Sequence, residues 1–281
     1  MTDNPPAGTI EIAGKTVSRL GLGTLRLTGP GGWGDPEDRP LAVSLLRQAV
    51  HQHGVTHIDT ADAYGPHTVE HLIKEALHPY PEELLIATKV GVVRPAPDVW
   101  MPLGHPAYLR ACVEASLRRL GVERLELCYL HRIDWEVPVE DQIGTLQALQ
   151  EEGKIGHIGL SKISGEDFRR WHGEIDIAAV QNVLNIHDRY DPVQELCREH
   201  GVPYVPYRPL AAGSVAHDGF VYTPLSWLLG LGPHIAPIPG TGSPRHLSNI
   251  VRAVTLGGWE GRRWSPTARR RPSCCRRRRR T

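Results

Sequence analysis

The chain has 281 residues, 40% of them hydrophobic, and its 32 basic and 31 acidic residues give a net charge of +1. It can therefore bury a sizeable core, and it is close to the ~250 residues of a single α/β barrel. The amino terminus lacks the basic start and apolar run of a signal peptide, and no window approaches the ~20 apolar residues of a membrane span. We therefore expect neither secretion nor membrane insertion.

The positive charge is concentrated in one short segment. Residues 259–281 contain ten arginines and one acid, so residues 1–258 carry 22 basic and 30 acidic residues, a net charge of −8. Like charges repel and apolar periodicity is missing, so we predict a body of residues 1–258 and a disordered Arg-rich tail of residues 259–281. The five cysteines show neither disulfide nor zinc spacing, which favours a reducing cytoplasm.

The body begins with TIEIAGKTVSRL, which predicts a β-hairpin turning at Ala13 and Gly14 and capping the main fold. Strands and helices then alternate, starting with the strand GLGTLRL and a helix from Pro40 to the glycine stop at Gly54. Strict alternation predicts a parallel sheet, and eight strand and helix units predict a closed (β/α)8 TIM barrel. The later strands are predicted at residues 56–58, 84–91, 125–134, 154–164, 177–186, 202–210 and 234–242.

Four polar residues lie at or just beyond the ends of three consecutive predicted strands: Asp59, Tyr64, Lys89 and His131. The active sites of α/β barrels lie at this edge. Each residue alone has a structural explanation. Asp59 could cap a helix, Tyr64 could be a half-buried packing residue, Lys89 could be a solvated surface charge, and His131 could be a core histidine. Their convergence on one edge nevertheless favours a reaction site.

These four side chains could protonate a carbonyl oxygen. Hydride addition to a carbonyl carbon leaves an oxyanion that must gain a proton. We predict Tyr64 as the acid, Lys89 as the cation that lowers its pKa, Asp59 as the group that orients Lys89, and His131 as the group that positions the carbonyl.

The hydride must come from a cofactor, since no side chain supplies one. GLGTLRLTG is not a dinucleotide fingerprint, because Arg26 occupies the position of the third glycine. The predicted phosphate site is instead IPGTGSPRH, with the hydroxyls of Thr241 and Ser243 before a helix and with Arg245 and His246 as cations.

The sequence resembles the aldo/keto reductase family over about Thr9 to Val254. Seven motifs carry the resemblance and occur in the same order as in the family: HIDTADAYG, ATKVG, LCYLHRID, EEGKIGHIGLS, AAVQNVLN, PYRPLAAG and IPGTGSPRHL. The resemblance implies a (β/α)8 barrel that reduces aldehydes or ketones with NADPH, less often NADH, and assigns the same four residues to the active site. It also implies that Gln181 and Ser161 hold the nicotinamide carboxamide and that Tyr207 stacks on the ring. The predicted cofactor-binding residues are Gly23, Thr24, Ser161, Gln181, Tyr207, Arg208, Leu210, Gly240, Thr241, Ser243, Arg245 and His246.

The sequence departs from the family pattern near the cofactor. Lys162 stands where relatives often have Asn, and Arg208, which replaces Ser or Phe, would either reach a phosphate or point outward. Ser248 and Asn249 shift the usual adenine-gripping residues, and the segment from Ala211 to Leu225 is short.

Three tryptophans fall in loops on the predicted active-site face, where they would either line an apolar substrate pocket or pack locally: Trp33, Trp100 and Trp135.

The sequence therefore predicts a cytoplasmic NADPH-dependent reductase of small carbonyl compounds, with Tyr64 as general acid. No metal, nucleic-acid or membrane partner is expected. One alternative is a nucleotide-binding or regulatory barrel with weak catalysis, which the altered cofactor segment favours and the intact four residues oppose. Another is a chain too altered at its end to be stably active.

Overall fold

The computed structural model describes residues 5–211 and 222–255, apart from the side chains of residues 222 and 223. The strands are β1 (Thr9–Ile12), β2 (Lys15–Ser18), β3 (Leu22–Gly23), β4 (His57–Asp59), β5 (Leu85–Val90), β6 (Val92–Val93), β7 (Met101–Pro102), β8 (Leu125–Leu130), β9 (Ile155–Ser161) and β10 (Ile177–Gln181). The α-helices are α1 (Arg39–Arg47), α2 (Thr68–Leu77), α3 (Pro106–Leu120), α4 (Val139–Glu151), α5 (Gly165–Trp171), α6 (Pro192–His200), α7 (Tyr222–Leu229) and α8 (Pro244–Thr255).

Six parallel strands form one curled sheet in the order β10-β9-β8-β5-β4-β3. Its strands are largely buried, as expected when helices cover a parallel sheet. Because β4, β5 and β8 are neighbours, the residues at their carboxyl ends meet on one edge. In the register, Asp59 pairs with Ala87, and Lys89 pairs with Tyr129.

The prediction of eight regular strands is wrong for the last two. The segments around Tyr204 and Ile235 make isolated parallel bridges instead, from Val180 to Tyr204 and from Tyr204 to Ile235, and a further bridge joins Gly240 to Gly23. An α/β barrel architecture fits this arrangement, but six of the predicted eight strands form the ladder.

Proline explains the two irregular segments. Pro203 and Pro206 flank the first bridge, and Pro237 and Pro239 follow the second. A proline has no amide hydrogen to donate to a ladder, so closely spaced prolines prevent regular strand pairing. Their carbonyl groups still accept hydrogen bonds, such as those from Gly21 N to Pro237 O and from Gly23 N to Pro239 O, both 3.0 Å long.

The amino-terminal pair β1 and β2 is antiparallel and turns at Ala13 and Gly14. Both residues have positive φ, 52° and 71°, as a tight two-residue hairpin turn requires. Ile12 and Val17 belong to the same buried cluster as Leu127 of β8, so the hairpin packs against the sheet.

Helix boundaries largely follow the sequence signals. The predicted end of α3 at Gly121 is confirmed, because this glycine adopts a left-handed cap with φ 72°. The helix predicted to start at Pro40 begins at Arg39 with Asp38 accepting from Leu41 N, and it continues beyond α1 as a π-helical turn at Gln48–Gln52. No described helix is both long and apolar enough to cross a membrane.

One core contact depends on the absence of a side chain. Tyr129 of β8 is fully buried, and its partner in the register on β9 is Gly159. A Cβ atom on Gly159 would overlap the Tyr129 ring. The large aromatic ring therefore fits only because the facing position is glycine.

Behind the sheet, a buried acidic pair lies between α2, α3 and β5. Glu70 accepts hydrogen bonds from Thr88 Oγ1 (2.7 Å) and from Arg119 Nε (2.6 Å). Asp62 is also fully buried and forms no ion pair among the described residues, and its interactions with Cys112 and with the Ala63 amide only partly offset the burial of its charge. Burial, and then repulsion by Glu70, raise the pKa of Asp62 to about 7.

Gly159→Ala should destabilise the protein by about 1–3 kcal/mol, because overpacking forces Tyr129 or the β9 backbone to move. Gly144→Ala is the matched control. Gly144 lies within α4, and no atom from outside its own stretch of helix backbone would lie within 4 Å of an alanine Cβ at this position, so alanine there should be neutral or stabilise by roughly 0.5–1 kcal/mol. Urea unfolding followed by circular dichroism measures both, and equal effects would contradict the packing account.

Asp62→Asn should stabilise the protein at pH 8 by ~1–4 kcal/mol, and this gain should shrink towards pH 4. The folded-state pKa of about 7 lies above the ordinary value of 3.8. Folding therefore favours the protonated form, and this contribution to stability is lost as the pH rises through about 7. Urea unfolding at both pH values tests this, with the exposed Asp176→Asn as control. A gain independent of pH would contradict it.

Candidate active site

Three of the four predicted residues are in direct contact around one ammonium group. Lys89 Nζ donates to Asp59 Oδ1 at 2.6 Å, to the Thr60 carbonyl at 2.7 Å and to the Tyr64 hydroxyl at 3.3 Å. Lys89 and Asp59 are only 1% and 2% exposed, so water scarcely screens their ion pair. The ring of His131 lies edge-to-face with that of Tyr64, with 6.2 Å between the centroids.

The ends of adjacent strands place these groups. Asp59 is the last residue of β4, Lys89 is next to last in β5, and His131 directly follows β8. Tyr64 lies on the loop between β4 and α2, which is held against β5 by hydrogen bonds from Thr60 N to Ala87 O (2.8 Å) and from Asp62 N to Lys89 O (3.1 Å). The loop that carries the phenol is thus fixed to the strand that carries the ammonium.

The ion pair balances two opposing effects of burial. Burial lowers the pKa of Lys89 and raises that of Asp59, because a charge loses its hydration in the protein interior. Each partner opposes the shift of the other through attraction and a direct hydrogen bond. Each member therefore favours the charged form of the other, and removal of either one would leave an uncompensated buried group.

Tyr64 differs from the sequence-based expectation. We predicted that Lys89 lowers its pKa, but burial and then the Asp59 carboxylate raise the pKa of Tyr64 well above its ordinary value. The physical reason is that Asp59 neutralises the ammonium, so the phenol faces a nearly neutral pair in dry surroundings. The hydroxyl therefore retains its proton at neutral pH.

His131 is neutral in this environment. Burial, followed by repulsion from Lys162 and then from Lys89, lowers its pKa well below the ordinary value of 6.5. Its Nδ1 atom is buried and has no hydrogen-bond partner within the described parts of the chain. A neutral imidazole can position a carbonyl group without adding charge.

An arginine that the sequence analysis missed organises the loops above the site. The Arg94 guanidinium lies 3.6 Å from the ring centroid of Trp100 and donates to the carbonyls of Gly31 (2.7 Å) and Ala63 (3.2 Å). Only its position shortly after β5 could have indicated this role.

The three loop tryptophans have different surroundings. Trp100 lies edge-on to Tyr64 and His131, at centroid distances of 6.2 and 6.1 Å. Trp33 is 5.7 Å from the guanidinium of Arg94, and Trp135 is 72% exposed. Trp100 therefore contacts the predicted catalytic residues directly.

Three predicted cofactor-binding residues are connected to Asp59 directly or through one hydrogen bond. Gln181 Nε2 donates to Asp59 Oδ1 at 2.7 Å, and Ser161 Oγ donates to the Gln181 carbonyl at 2.8 Å. Thr24 Oγ1 donates to the Asp59 carbonyl at 2.8 Å. These groups, from β9, from β10 and from the residue that directly follows β3, form one network with the Lys89 ion pair.

The predicted cofactor-binding residues Tyr207, Arg208 and Leu210 have three different environments. Tyr207 is bridged to Val183, and Lys162 Nζ lies 5.7 Å from its ring centroid. Arg208 is exposed and has a φ of 52°. The Leu210 side chain packs in a core cluster with Leu20, away from solvent.

The remaining predicted residues gather at the start of α8. Gly240 is bridged to Gly23, Thr241 Oγ1 accepts from Ser243 N at 3.0 Å, and Ser243 Oγ accepts from His246 N at 3.4 Å. Arg245 and His246 are exposed. Hydroxyls, first-turn amides and cationic side chains at a helix N-terminus form a donor set that suits a phosphate group.

The short segment from Ala211 to Leu225 lies mostly outside the described residues, and the predicted Arg-rich tail, 259–281, lies wholly outside them. Within residues 5–211 and 222–255, no group of three or more His, Cys, Asp or Glu side chains could hold a metal ion.

Comparison with known proteins gives consistent matches. An uncharacterized oxidoreductase of Schizosaccharomyces pombe is 38% identical over 90% of this chain and 87% of its own length. Pyridoxine 4-dehydrogenase of Escherichia coli is 36% identical over 89% of this chain and 94% of its own. The crystal structure of an aldo/keto reductase from Klebsiella pneumoniae in complex with NADP and acetate has 25% identity and a TM-score of 0.72, covering 88% of this chain and 89% of that one.

Residues 19–219, most of the chain, match the model of the aldo/keto reductase family. This match and the relatives above 30% identity agree with the arrangement of Asp59, Tyr64, Lys89 and His131 at one edge of a parallel sheet. The chain belongs to the aldo/keto reductase family of oxidoreductases.

Proposed function

We propose that this protein reduces an aldehyde or ketone to an alcohol, using a hydride from NADPH and a proton from Tyr64. The observation that carries the proposal is the buried contact between the Lys89 ammonium, the Asp59 carboxylate and the Tyr64 hydroxyl. A buried ion pair that holds a protonated phenol at a strand edge has few structural uses, whereas a carbonyl reductase needs this arrangement.

In this proposal the chain's own residues manage the proton. Tyr64 keeps its proton until negative charge develops on the carbonyl oxygen, and it donates the proton at that moment. The Lys89 ammonium, 3.3 Å from the Tyr64 hydroxyl, then stabilises the resulting phenolate. Neutral His131 orients the carbonyl oxygen towards Tyr64, and Trp100 excludes water from one side.

The nicotinamide cofactor, when bound, supplies the hydride. We propose that Ser161, Gln181 and Tyr207 hold its nicotinamide end. The residues that would bind its phosphate end are Gly240, Thr241, Ser243, Arg245 and His246. The other proposed cofactor-binding residues are Gly23, Thr24, Arg208 and Leu210. The donor set at the α8 N-terminus supports this placement, and the Klebsiella pneumoniae structure with NADP supports a phosphorylated nicotinamide cofactor.

We further propose that the bridged segments around Tyr204 and Ile235 complete an eight-stranded barrel and that the hairpin of β1 and β2 caps its opposite end. The bridge between Gly240 and Gly23, at the edge strand of the sheet, supports closure. We propose the cytoplasm as the place of action, and the buried free thiols of Cys112, Cys128 and Cys197 support a reducing compartment.

Tyr64→Phe should lower NADPH-dependent reduction of 4-nitrobenzaldehyde by about 10²–10⁴-fold, because it removes only the proton donor. NADPH binding, followed by quenching of tryptophan fluorescence, should remain. Tyr190→Phe, on an 82% exposed side chain, is the matched control and should retain the activity of the unmodified protein.

Full activity of Tyr64→Phe would refute the role of Tyr64. If the unmodified protein binds NADPH but consumes none with a panel of aldehydes and ketones, the nucleotide-binding barrel with weak catalysis becomes the better assignment.

A further inference from the structure

Three cationic side chains stand at the rim of the candidate site, each directly after a residue of that site in the sequence. They lie close enough together for Arg132 and Arg208 to repel Lys162. The three cations are Arg132 after His131, Lys162 after Ser161, and Arg208 after Tyr207.

These cations have no carboxylate partner. None of the three forms an ion pair among residues 5–211 and 222–255, in contrast to the Lys89 pair deeper in the site. The Nε atom of Arg132 is buried and has no hydrogen-bond partner in the described structure. The carboxylate of Asp191, whose charge acts on Tyr207, already accepts from Asn182 Nδ2 (2.8 Å) and Tyr204 OH (2.6 Å).

The backbone fixes the position of Lys162. Its φ of 57° is left-handed, and its amide donates to the Gln181 carbonyl at 3.0 Å. Its ammonium lies 5.7 Å from the ring centroid of Tyr207. The ammonium is thus held beside Tyr207, a residue of the candidate site.

This ammonium is in an unfavourable environment without an anion. Burial, and then repulsion by Arg132, Lys89 and Arg208, lower the pKa of Lys162 to about 7. A bound anion would offset this repulsion and would also accept the unused hydrogen bond of Arg132.

We propose that Lys162 and Arg132 form a subsite for an anionic group, a carboxylate or phosphate, carried by the carbonyl substrate. This inference rests on the proposed carbonyl reduction and narrows its substrates to carbonyl compounds that also carry a negatively charged group.

The other source of such an anion is a phosphate of the cofactor. The start of α8 already provides hydroxyls, amides and exposed cations for phosphate. Arg132, in contrast, directly follows the carbonyl-positioning residue His131 at the end of β8. Lys162 is the charged group that lowers the pKa of His131 most, ahead of Lys89. This favours an anion on the substrate.

The test compares 4-carboxybenzaldehyde with its neutral analogue 4-formylbenzamide. We expect the unmodified protein to prefer the carboxylate, and Lys162→Met to lower the ratio of the two kcat/KM values about tenfold or more. Lys162→Arg should restore the ratio to within about threefold. Lys154→Met, just before the other end of the same strand, is the matched control and should keep the ratio.

Calorimetric binding of both aldehydes and fluorescence titration of NADPH complete the experiment. An unchanged ratio in Lys162→Met overturns the subsite, and an unchanged ratio with tenfold weaker NADPH binding assigns the cation to a cofactor phosphate instead. If the unmodified protein reduces neither aldehyde, that result counts against the proposed carbonyl reduction and not against the anion subsite. Tenfold weaker binding of the carboxylate to Lys162→Met would then still support the subsite, and equal binding would overturn it.

Discussion

The ion pair between Lys89 and Asp59 is the constraint on which the site depends. Removing both charges from water costs several kcal/mol per ion, and only close geometry with additional hydrogen bonds offsets this cost. The structure provides these bonds from separate elements, because Thr60 accepts from Lys89 and Gln181 donates to Asp59. The requirement to satisfy the pair thus fixes β4, β5 and β10 relative to one another and holds the Tyr64 loop in place.

Much of this arrangement could be predicted from the sequence, because alternating strands and helices determine which ends of strands meet. The convergence of Asp59, Tyr64 and Lys89 followed from that alone. The irregular pairing of the last two predicted strands does not follow from alternation, because the hydrophobic pattern does not show that Pro203 and Pro237 lack the amide hydrogens that a ladder needs. Arg94 was also missed, because a side chain that binds distant loop carbonyls has no periodicity to reveal it.

The electrostatics needed three-dimensional information. From the sequence, an ammonium beside a phenol predicts a lowered pKa, but the direction depends on whether a carboxylate has already neutralised that ammonium. At Tyr64 it has, so burial dominates and raises the pKa. Lys162, in contrast, has no carboxylate partner, so burial and repulsion by neighbouring cations lower its pKa. The protonated Tyr64 beside a balanced ion pair, and the unpaired cations around Lys162, are therefore properties of the folded chain.

The central claim is that the buried ion pair holds Tyr64 ready to protonate the substrate. Its most direct test is the single-turnover rate of NADPH oxidation by stopped flow in Lys89→Met and in the double variant Asp59→Asn, Lys89→Met, which leaves no unpaired buried charge. The account predicts at least about a hundredfold slower hydride transfer in both, with NADPH still bound. A rate within tenfold of the unmodified protein, in either variant that binds NADPH, would contradict it.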